Sequence, residues 1–503
     1  MRLGSIIIKS QFLSFERFFM ASDVVRTRFA PSPTGFMHVG NLRTALYAYL
    51  IAKSQGGKFI LRIEDTDQNR YVEGAVDVIY RTMRSAGLIH DEGPDVGGDY
   101  GPYVQSERKP MYREYAERLI DSGAAYYCFC DKTEYDANGE DISENQDHEC
   151  HCRDLDPAVA KSRVAAGEPF AIRQKIDHDG VSTYTDCVFG EITIENKVLN
   201  DQILLKRDGM PTYNFANVVD DHTMAITHVV RGSEYLPSTP KYNMLYAAFG
   251  WQPPEYVHLP MIMGRNEDGT IAKLSKRHGS VSFESLVEEG YLPEAIVNYI
   301  ALLGWSPKND REVFSFDELV SLFKISGLNK SAAVFDYDKL KWMNSEYIKA
   351  LPVEVFAERS KPFAKVEGTF VEPHWVLLAG LLQPRTERMC DIPEKIAFFF
   401  EQPEYDASLF NNKKSKCDPV KALSILNDLR TEYGALADWN QESITKIVTD
   451  YAVAHEMKLG LPMWALRISV SGTAVTPGGP GEIMTILGKE ESLLRMDKAI
   501  AKF

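Results

Sequence analysis

Residues 24–53 constrain the fold more than any other stretch of this chain. Val24, Val25, Thr27 and Phe29 read as an extended run, Ala30-Pro31-Ser32-Pro33-Thr34-Gly35 follows as a tight turn, and Leu42, Ala45, Leu46, Tyr49 and Leu50 then recur at helical spacing. A second extended run at 58–63 and a second helical pattern at 75–86 complete a strand–helix–strand–helix order. That order predicts a Rossmann-like, doubly wound parallel sheet of the α/β class. His38 and Gly40 then sit at a helix mouth, where free backbone N–H groups and the helix dipole attract phosphate. Gly40 leaves bare backbone for a flat ring, and Gly56-Gly57 supplies the helix stop.

Far along the chain, Lys273-Leu274-Ser275-Lys276-Arg277 offers cations on a loop. Taken singly, a His before a helix is an ordinary cap and a basic loop is ordinary solvated surface. Together they suit an ATP site. A carboxylate attacking the α-phosphate builds negative charge there and on departing pyrophosphate, and cationic donors stabilise it. His38, Lys273 and Lys276 are the candidate catalytic groups, with Gly40, Asn41 and Ser275 shaping the ATP seat.

The 503 residues are 44% hydrophobic, enough for several cores, and the length suggests about three to five domains. No run approaches a membrane-spanning length, so no membrane partner is expected. A net charge of -15 argues against a general polyanion binder. Local basic patches decide that question, and Arg385 with Arg388, and Lys413, Lys414 and Lys416, are the candidates. The first 23 residues carry Arg2, Lys9 and Arg17 among apolar groups, mildly like an organelle transit peptide. A short disordered tail or a start ahead of Met20 fits equally, and the default expectation is cytoplasmic.

Four of the seven cysteines cluster: Cys128 and Cys130, then Cys150 and Cys152, with His148 and His151 beside the second pair. Two short pairs of thiolate and imidazole donors suit a structural, tetrahedral Zn²⁺ site. Scattered Cys187, Cys390 and Cys417 give no disulfide framework, as in a reducing compartment.

His38-Val39-Gly40-Asn41 and Lys273-Leu274-Ser275-Lys276-Arg277 resemble the His-Ile-Gly-His and Lys-Met-Ser-Lys-Ser signatures of class I aminoacyl-tRNA synthetases. Ala30 to Gly35, followed by Arg62-Ile63-Glu64-Asp65-Thr66-Asp67, resembles the glutamyl branch of that family. Further matches lie at Gly93 to Gly98, Gly101-Pro102-Tyr103, Gln105 to Arg108, Pro211-Thr212-Tyr213, Ala216 to His222, Phe335-Asp336, Lys339 to Asn344 and Thr476-Pro477-Gly478. The chain departs from the class-wide pattern at Val39 and Asn41. Asn at that place is familiar in this branch and still donates a hydrogen bond.

The resemblance implies ATP-dependent ligation of L-glutamate to a glutamate-specific tRNA through an adenylate, with Mg²⁺ accompanying ATP and tRNA bound before activation. Residues 1–23 stand outside it as an expected, disordered N-terminal extension, and it implies a catalytic domain at 24–105 and 209–266. An acceptor-binding insertion at 106–208 interrupts that domain, a stem-contact domain spans 267–350, and all-α anticodon-binding domains fill 351–503. A monomer is expected. Free glutamate carries one ammonium and two carboxylates, so its pocket needs an acid and at least one arginine. Arg28, Glu64 and Arg231 stand at strand ends and match the family's glutamate-binding positions, as do Ala30, Ser32, Tyr213 and Asn217; an Arg–Glu salt bridge within the sheet is the plain alternative for the charged ones. The family's zinc pattern, Cys-x-Cys with a Tyr and a Cys four apart, places ligands at Cys128, Cys130, His148 and Cys152, with Cys150 competing with His148. Arg385 falls where discriminating members use an arginine to read the third anticodon base. A glutaminyl enzyme, a shortened glutamyl transferase that modifies tRNA and a non-enzymatic tRNA-binding paralogue are the rivals. The first usually carries Pro-Glu-Pro-Asn near Ser32, the second lacks the C-terminal half, and the third would not need His38, Lys273 and Lys276 together.

Overall fold

The computed structural model describes residues 24–67, 72–130 and 150–503. The expected extension at 1–23 and the candidate ligand His148 lie outside these residues. Along the chain, β1 (Arg26–Phe29), α1 (Val39–Lys53), β2 (Lys58–Leu61) and α2 (Ala75–Ser85) form the opening. α3 (Lys109–Ser122) leads into β3 (Ala125–Cys128), α4 (Pro157–Ala165), β4 (Ala171–Gln174), β5 (Val181–Asp186), β6 (Gly190–Glu195) and β7 (Ile203–Leu205). α5 (Tyr213–Thr223), β8 (His228–Gly232), α6 (Thr239–Phe249) and β9 (Glu255–Leu259) return to the first sheet, and β10 (Ile262–Arg265) and β11 (Ile271–Lys273) make a hairpin.

The main sheet has six strands in the order β2-β1-β8-β9-β5-β6. All its pairings are parallel except β5–β6. β1 is flanked by β2 on one side and by the much later β8 on the other, so the winding reverses beside β1. In open parallel sheets, such a reversal leaves a crevice outside the carboxyl ends of the strands. The expected α/β architecture and helical C-terminal region are both present.

α1 packs on β1, β2 and β8 and is buried on nearly every side. Leu42, Leu46, Leu50 and Ile51 are fully buried, each worth about 2 kcal/mol relative to exposure. Tyr47 adds hydrogen bonds from its hydroxyl to the carbonyls of Ala301 and Leu303. The helix is therefore held rigidly, and so is whatever its N-terminus presents. At its other end Gly56 adopts φ +67°, and a Cβ on Gly57 would lie 2.1 Å from the Val25 carbonyl oxygen. The glycine pair thus lets the chain turn hard against β1 before β2 begins.

Residues 106–208 are less self-contained than their interrupted composition suggests. β3, β4 and β7 form a separate antiparallel sheet, but its apolar side shares one core with α3, α5 and α6 through Tyr112, Leu119, Phe215, Val219 and Leu245. Moreover, β5 and β6 join the main sheet at its edge. Alternation along Val181–Asp186 hides this docking, because only its last residue pairs with β9.

The chain divides into two compact units, residues up to 285 with 297–336, and 286–296 with 337–503. The second is helical from Tyr337–Ala350 to Lys489–Ile500. One apolar core runs through it, from Phe356 and Trp375 to Leu466, Ile483 and Met496. Among the described residues no helix is long and apolar enough to cross a membrane.

Candidate active site

A cleft of about 690 Å³ opens at the carboxyl ends of β1, β2, β8 and β9. Its lining includes Arg28, Ala30, Ser32, His38, Gly40, Asn41, Glu64, Tyr213, Arg231, Lys273 and Ser275. Residues proposed from distant parts of the sequence therefore share one cavity. Asn217 is not part of the lining. It lies one turn beyond Tyr213 on α5, is buried, and its Nδ2 has no partner among the described residues.

His38 is the N-cap of α1, and its Nδ1 accepts from the Gly40 N–H at 3.0 Å. Burial, and then the Lys273 charge, lower its pKa from the ordinary 6.5, so the ring is neutral near pH 7. With Nδ1 accepting, the proton of the neutral ring sits on Nε2, which is a donor. The cap that starts the helix thereby also sets the tautomer.

The lysine loop is tied to this helix mouth. Val39 N–H donates to the Val281 carbonyl at 2.9 Å and Phe283 N–H to the Met37 carbonyl at 3.1 Å. Leu274 is buried, and its N–H donates to Ile262. His278 closes the loop: Nδ1 accepts from the Ser275 N–H at 3.1 Å while Nε2 meets the Asn266 side-chain oxygen at 2.9 Å. Its ring packs against Gly264, where a Cβ would come within 2.6 Å. The sequence reading passed over His278, although a histidine directly after a basic loop and an Asn in the preceding hairpin were its only signals. Lys273 itself is exposed at the end of β11, and Lys276 begins the short turn Lys276–His278.

Beneath the cleft lies a buried ionic network. Asp221 accepts from Arg28 Nε at 3.0 Å and from Arg62 Nη1 at 2.8 Å, and Arg62 Nη2 donates to Glu64 at 3.0 Å. Asp220 accepts from Arg108, Gln105 and Tyr112 at 2.7 to 2.9 Å. Burial opposes charge on Asp221, but Arg28 and Arg62 outweigh it and hold its pKa below the usual carboxylate value. Burial raises the Glu64 pKa despite its arginine neighbours. Breaking such a buried set by removing one member costs about 3–5 kcal/mol, so Arg28 and Asp221 are committed to each other. The sequence reading offered Arg28 to substrate, with an Arg–Glu salt bridge within the sheet as the plain alternative, and Arg28 lines the cleft while it pairs with Asp221. The missed signal was the acid pair in Val218-Val219-Asp220-Asp221, which apolar flanks force into the interior.

Arg231 is different. It is 5% exposed yet forms no ion pair among the described residues. Its Nε donates to His258 Nε2 at 3.0 Å and its Nη2 to Thr239 Oγ1 at 2.8 Å. The guanidinium lies 4.6 to 5.3 Å from the ring centres of Tyr235, Tyr242 and Tyr256. This is a desolvated cation held by neutral groups at the edge of a cleft, a site that favours an incoming carboxylate.

Elsewhere, Cys128, Cys130, Cys150 and Cys152 bring four sulfurs within 4.8 Å of one another. Cys150, which the sequence reading set second to His148, supplies the fourth. In the helical unit Arg385 is exposed, and its Nη1 donates to the Thr476 carbonyl at 3.2 Å. Arg467 stands nearby, its pKa lowered by burial and then by the Arg385 charge, and the sequence reading had not singled it out. Arg388 is spent on Asp391 and Glu289. Lys414 and Lys416 line a separate cleft with Lys421, Lys458 and Arg467.

The model of the tRNA synthetases class I (E and Q) catalytic domain matches residues 24–342, and that of an anticodon binding domain matches 338–500. The chain is 52% identical to the glutamate–tRNA ligase of Clostridium novyi, over 96% of this chain and 99% of that protein. It is 50% identical to the one of Clostridium kluyveri, over 95% and 98%. A glutamate tRNA ligase from Elizabethkingia meningosepticum, solved in complex with its amino acid, is 35% identical and superposes with a TM-score of 0.81 over 95% of this chain and 99% of that one. The parallel sheet, the cleft at its switch point with both signatures on its walls, and these likenesses agree, and the chain belongs to the class I tRNA synthetases of the glutamate and glutamine family.

Proposed function

We infer that this chain is a glutamate–tRNA ligase, which joins L-glutamate to the 3′ end of glutamate tRNA at the expense of ATP. The observation that carries the amino-acid choice is Arg231, a buried guanidinium at the carboxyl end of β8 without a carboxylate partner among the described residues. Glu64, whose second oxygen accepts no hydrogen bond from the described residues, meets the substrate ammonium. Once bound there, the ammonium offsets the burial that raises the Glu64 pKa. Tyr213 adds a polar contact, Asn217 stands one turn behind it with an Nδ2 that has no partner among the described residues, and Ala30 and Ser32 form the wall after β1. Arg28 acts on this pocket through Asp221, as part of its frame.

In the first step an oxygen of the α-carboxylate attacks the α-phosphorus, the bond to the bridging oxygen breaks, and pyrophosphate leaves with that electron pair. His38 donates from Nε2 to the phosphate, and Lys273 supplies positive charge from β11. Lys276 is assigned the same task from its place in the loop. Gly40, Asn41 and Ser275 form the nucleotide seat. Mg²⁺ accompanies the ATP phosphates, as is usual for a cation that keeps most of its waters. In the second step a terminal ribose hydroxyl of tRNA attacks the acyl carbon, and AMP leaves. The deciding experiment is tRNA-dependent ATP–pyrophosphate exchange with glutamate or glutamine. Faster exchange with glutamine would make this a glutaminyl enzyme.

The four sulfurs suit Zn²⁺. Zn–S bonds of about 2.3 Å in a tetrahedron require sulfurs about 3.8 Å apart, and the structure has 3.7 Å for Cys130–Cys150, 3.8 Å for Cys130–Cys152 and 3.3 Å for Cys150–Cys128. Four thiolates leave no open position, so a bound metal would be structural and would tie the end of β3 to the turn at 150–155. Purified protein is expected to hold about one zinc per chain. Cys150→Ser should lose it and His148→Ala keep it; the reverse result, by metal analysis, would restore His148 as the ligand.

Arg385 reads the anticodon in this proposal, with Thr476 and Arg467 beside it. A guanidinium can favour one base edge, worth roughly 1 to 3 kcal/mol. Arg385→Gln is therefore expected to narrow the preference for glutamate tRNA over glutamine tRNA by about one to two orders of magnitude. Equal charging of both tRNAs by the wild type would make the enzyme non-discriminating.

A further inference from the structure

We propose that His258 is a positioning residue that aims Arg231 at the substrate carboxylate, and that Asp186, contributed by the edge strand β5, fixes His258 for that task. The inference rests on the reading of Arg231 as the carboxylate-binding group.

Three strands and a helix converge here. His258 on β9 is fully buried. Its Nδ1 lies 2.7 Å from Asp186 Oδ2, and its Nε2 lies 3.0 Å from the Nε of Arg231 on β8. Arginine has only donors, so Nε2 must accept, and the proton of the neutral ring is on Nδ1, donated to Asp186. Asp186 cannot rotate to offer anything else, because its carboxylate also accepts from the backbone N–H groups of Val188, Phe189 and His258 at 2.8 to 3.1 Å. Thr239 at the start of α6 accepts from Arg231 Nη2 and donates to the Tyr235 carbonyl at 2.9 Å. Two of the guanidinium's corners are thus pinned from behind, which leaves its Nη1 side as the one to receive a carboxylate.

Neutral partners serve this purpose better than a carboxylate would. An acid directly on Arg231 would neutralise it and compete with substrate, as Asp221 does for Arg28. A neutral imidazole fixes direction while leaving the positive charge for the ligand. Asp186 stands one residue further back and supports the tautomer without touching the guanidinium. The other groups facing the ring are Glu234, in the turn Ser233–Ser238, and Tyr256, whose ring centre is 5.9 Å away on the same strand. A doubly protonated His258 would turn Nε2 into a donor and set it against Arg231. Burial, together with the Arg231 charge, lowers the His258 pKa against the pull of Asp186 and keeps the ring neutral.

Two near-isosteric variants separate the ring's two contacts in the full-length enzyme. Gln places an acceptor near Nε2, whereas Asn places its amide near Nδ1 and leaves Arg231 unheld. In tRNA-dependent exchange, His258→Asn is expected to raise the KM for glutamate roughly tenfold to a hundredfold, the effect of one hydrogen bond to a charged group. The KM for ATP should stay near wild type, and the fall in melting temperature should match that of His258→Gln, which gives up the buried Asp186 contact instead. His258→Gln should remain within about threefold of wild type. Equal effects of the two on the glutamate KM, or a parallel rise in the KM for ATP, would overturn the proposal. Arg231→Ala is the control that tells the two readings apart. If it leaves the glutamate KM unchanged, the assignment of Arg231 fails; if it raises KM while His258→Asn does not, only the positioning role fails. Nitrogen NMR of ring-labelled wild-type protein gives a measurement free of folding artefacts. The Nδ1-protonated neutral tautomer at pH 7 supports the proposal, and an imidazolium or an Nε2-protonated ring overturns it.

Discussion

Arg231→Ala is expected to raise the glutamate concentration needed for half-maximal exchange by about two to three orders of magnitude. The guanidinium is buried, carries its charge without a counter-ion among the described residues, and is held by His258 and Thr239. Its truncation leaves a substrate carboxylate desolvated against three tyrosine rings. Losing one member of a buried, hydrogen-bonded charge pair costs roughly 2–5 kcal/mol, and that range sets the expected factor. ATP affinity should hardly change, because the groups proposed to meet the phosphates are His38 and the lysine loop. Glutamate titrations of exchange at saturating ATP measure this, and an unaltered requirement would move the specificity determinant to another residue. By contrast, Arg28→Ala should appear first as lost stability, since it breaks a pair that the protein makes with itself.

His38→Ala should lower the exchange rate at saturating substrates by about 10²- to 10³-fold, the usual effect of removing one donor aimed at developing charge. The same variant loses the helix cap, at about 1 kcal/mol. His38→Asn separates these effects, because Asn is a good cap but does not reach as far as Nε2. It should recover the melting temperature and not the rate. A variant that recovers both would reduce His38 to a structural cap. The pH dependence follows from the neutral ring. Burial and Lys273 disfavour its second proton, so Nδ1 keeps accepting from the Gly40 N–H as pH falls from neutral to 6.5, and loss of that cap through this group comes only below that value, while Nε2 donates in either form. An inflection above 6.5 that disappears in His38→Asn would contradict the lowered pKa of the ring.

Much of the catalytic half was legible in the residues. Strand, turn and helix around His38 are local, so apolar spacing and glycine placement reveal them, and the motif of the lysine loop is likewise a short contiguous string. Their proximity was inferred from chemistry and is seen in the bonds from 37–39 to 281–283. The cysteine pairs were also visible, but spacing alone did not choose between His148 and Cys150. Ligand choice depends on which atoms a folded loop brings to a common centre.

What the sequence by itself determined is therefore what short-range physics controls: the parallel-sheet class, the helix mouth, the cationic loop, the paired cysteines and a helical C-terminal half. Tertiary structure alone decided which charges remain free. Arg28, Arg62 and Arg231 look equivalent along the chain, yet Asp221 engages the first two and only neutral groups hold the third. The strand β5 looked like part of an insertion, and it is folding that lays it beside β9 and brings Asp186 behind His258. Charge pairing between residues scores apart in sequence is set by strand order and burial, and neither is written in any local run of residues.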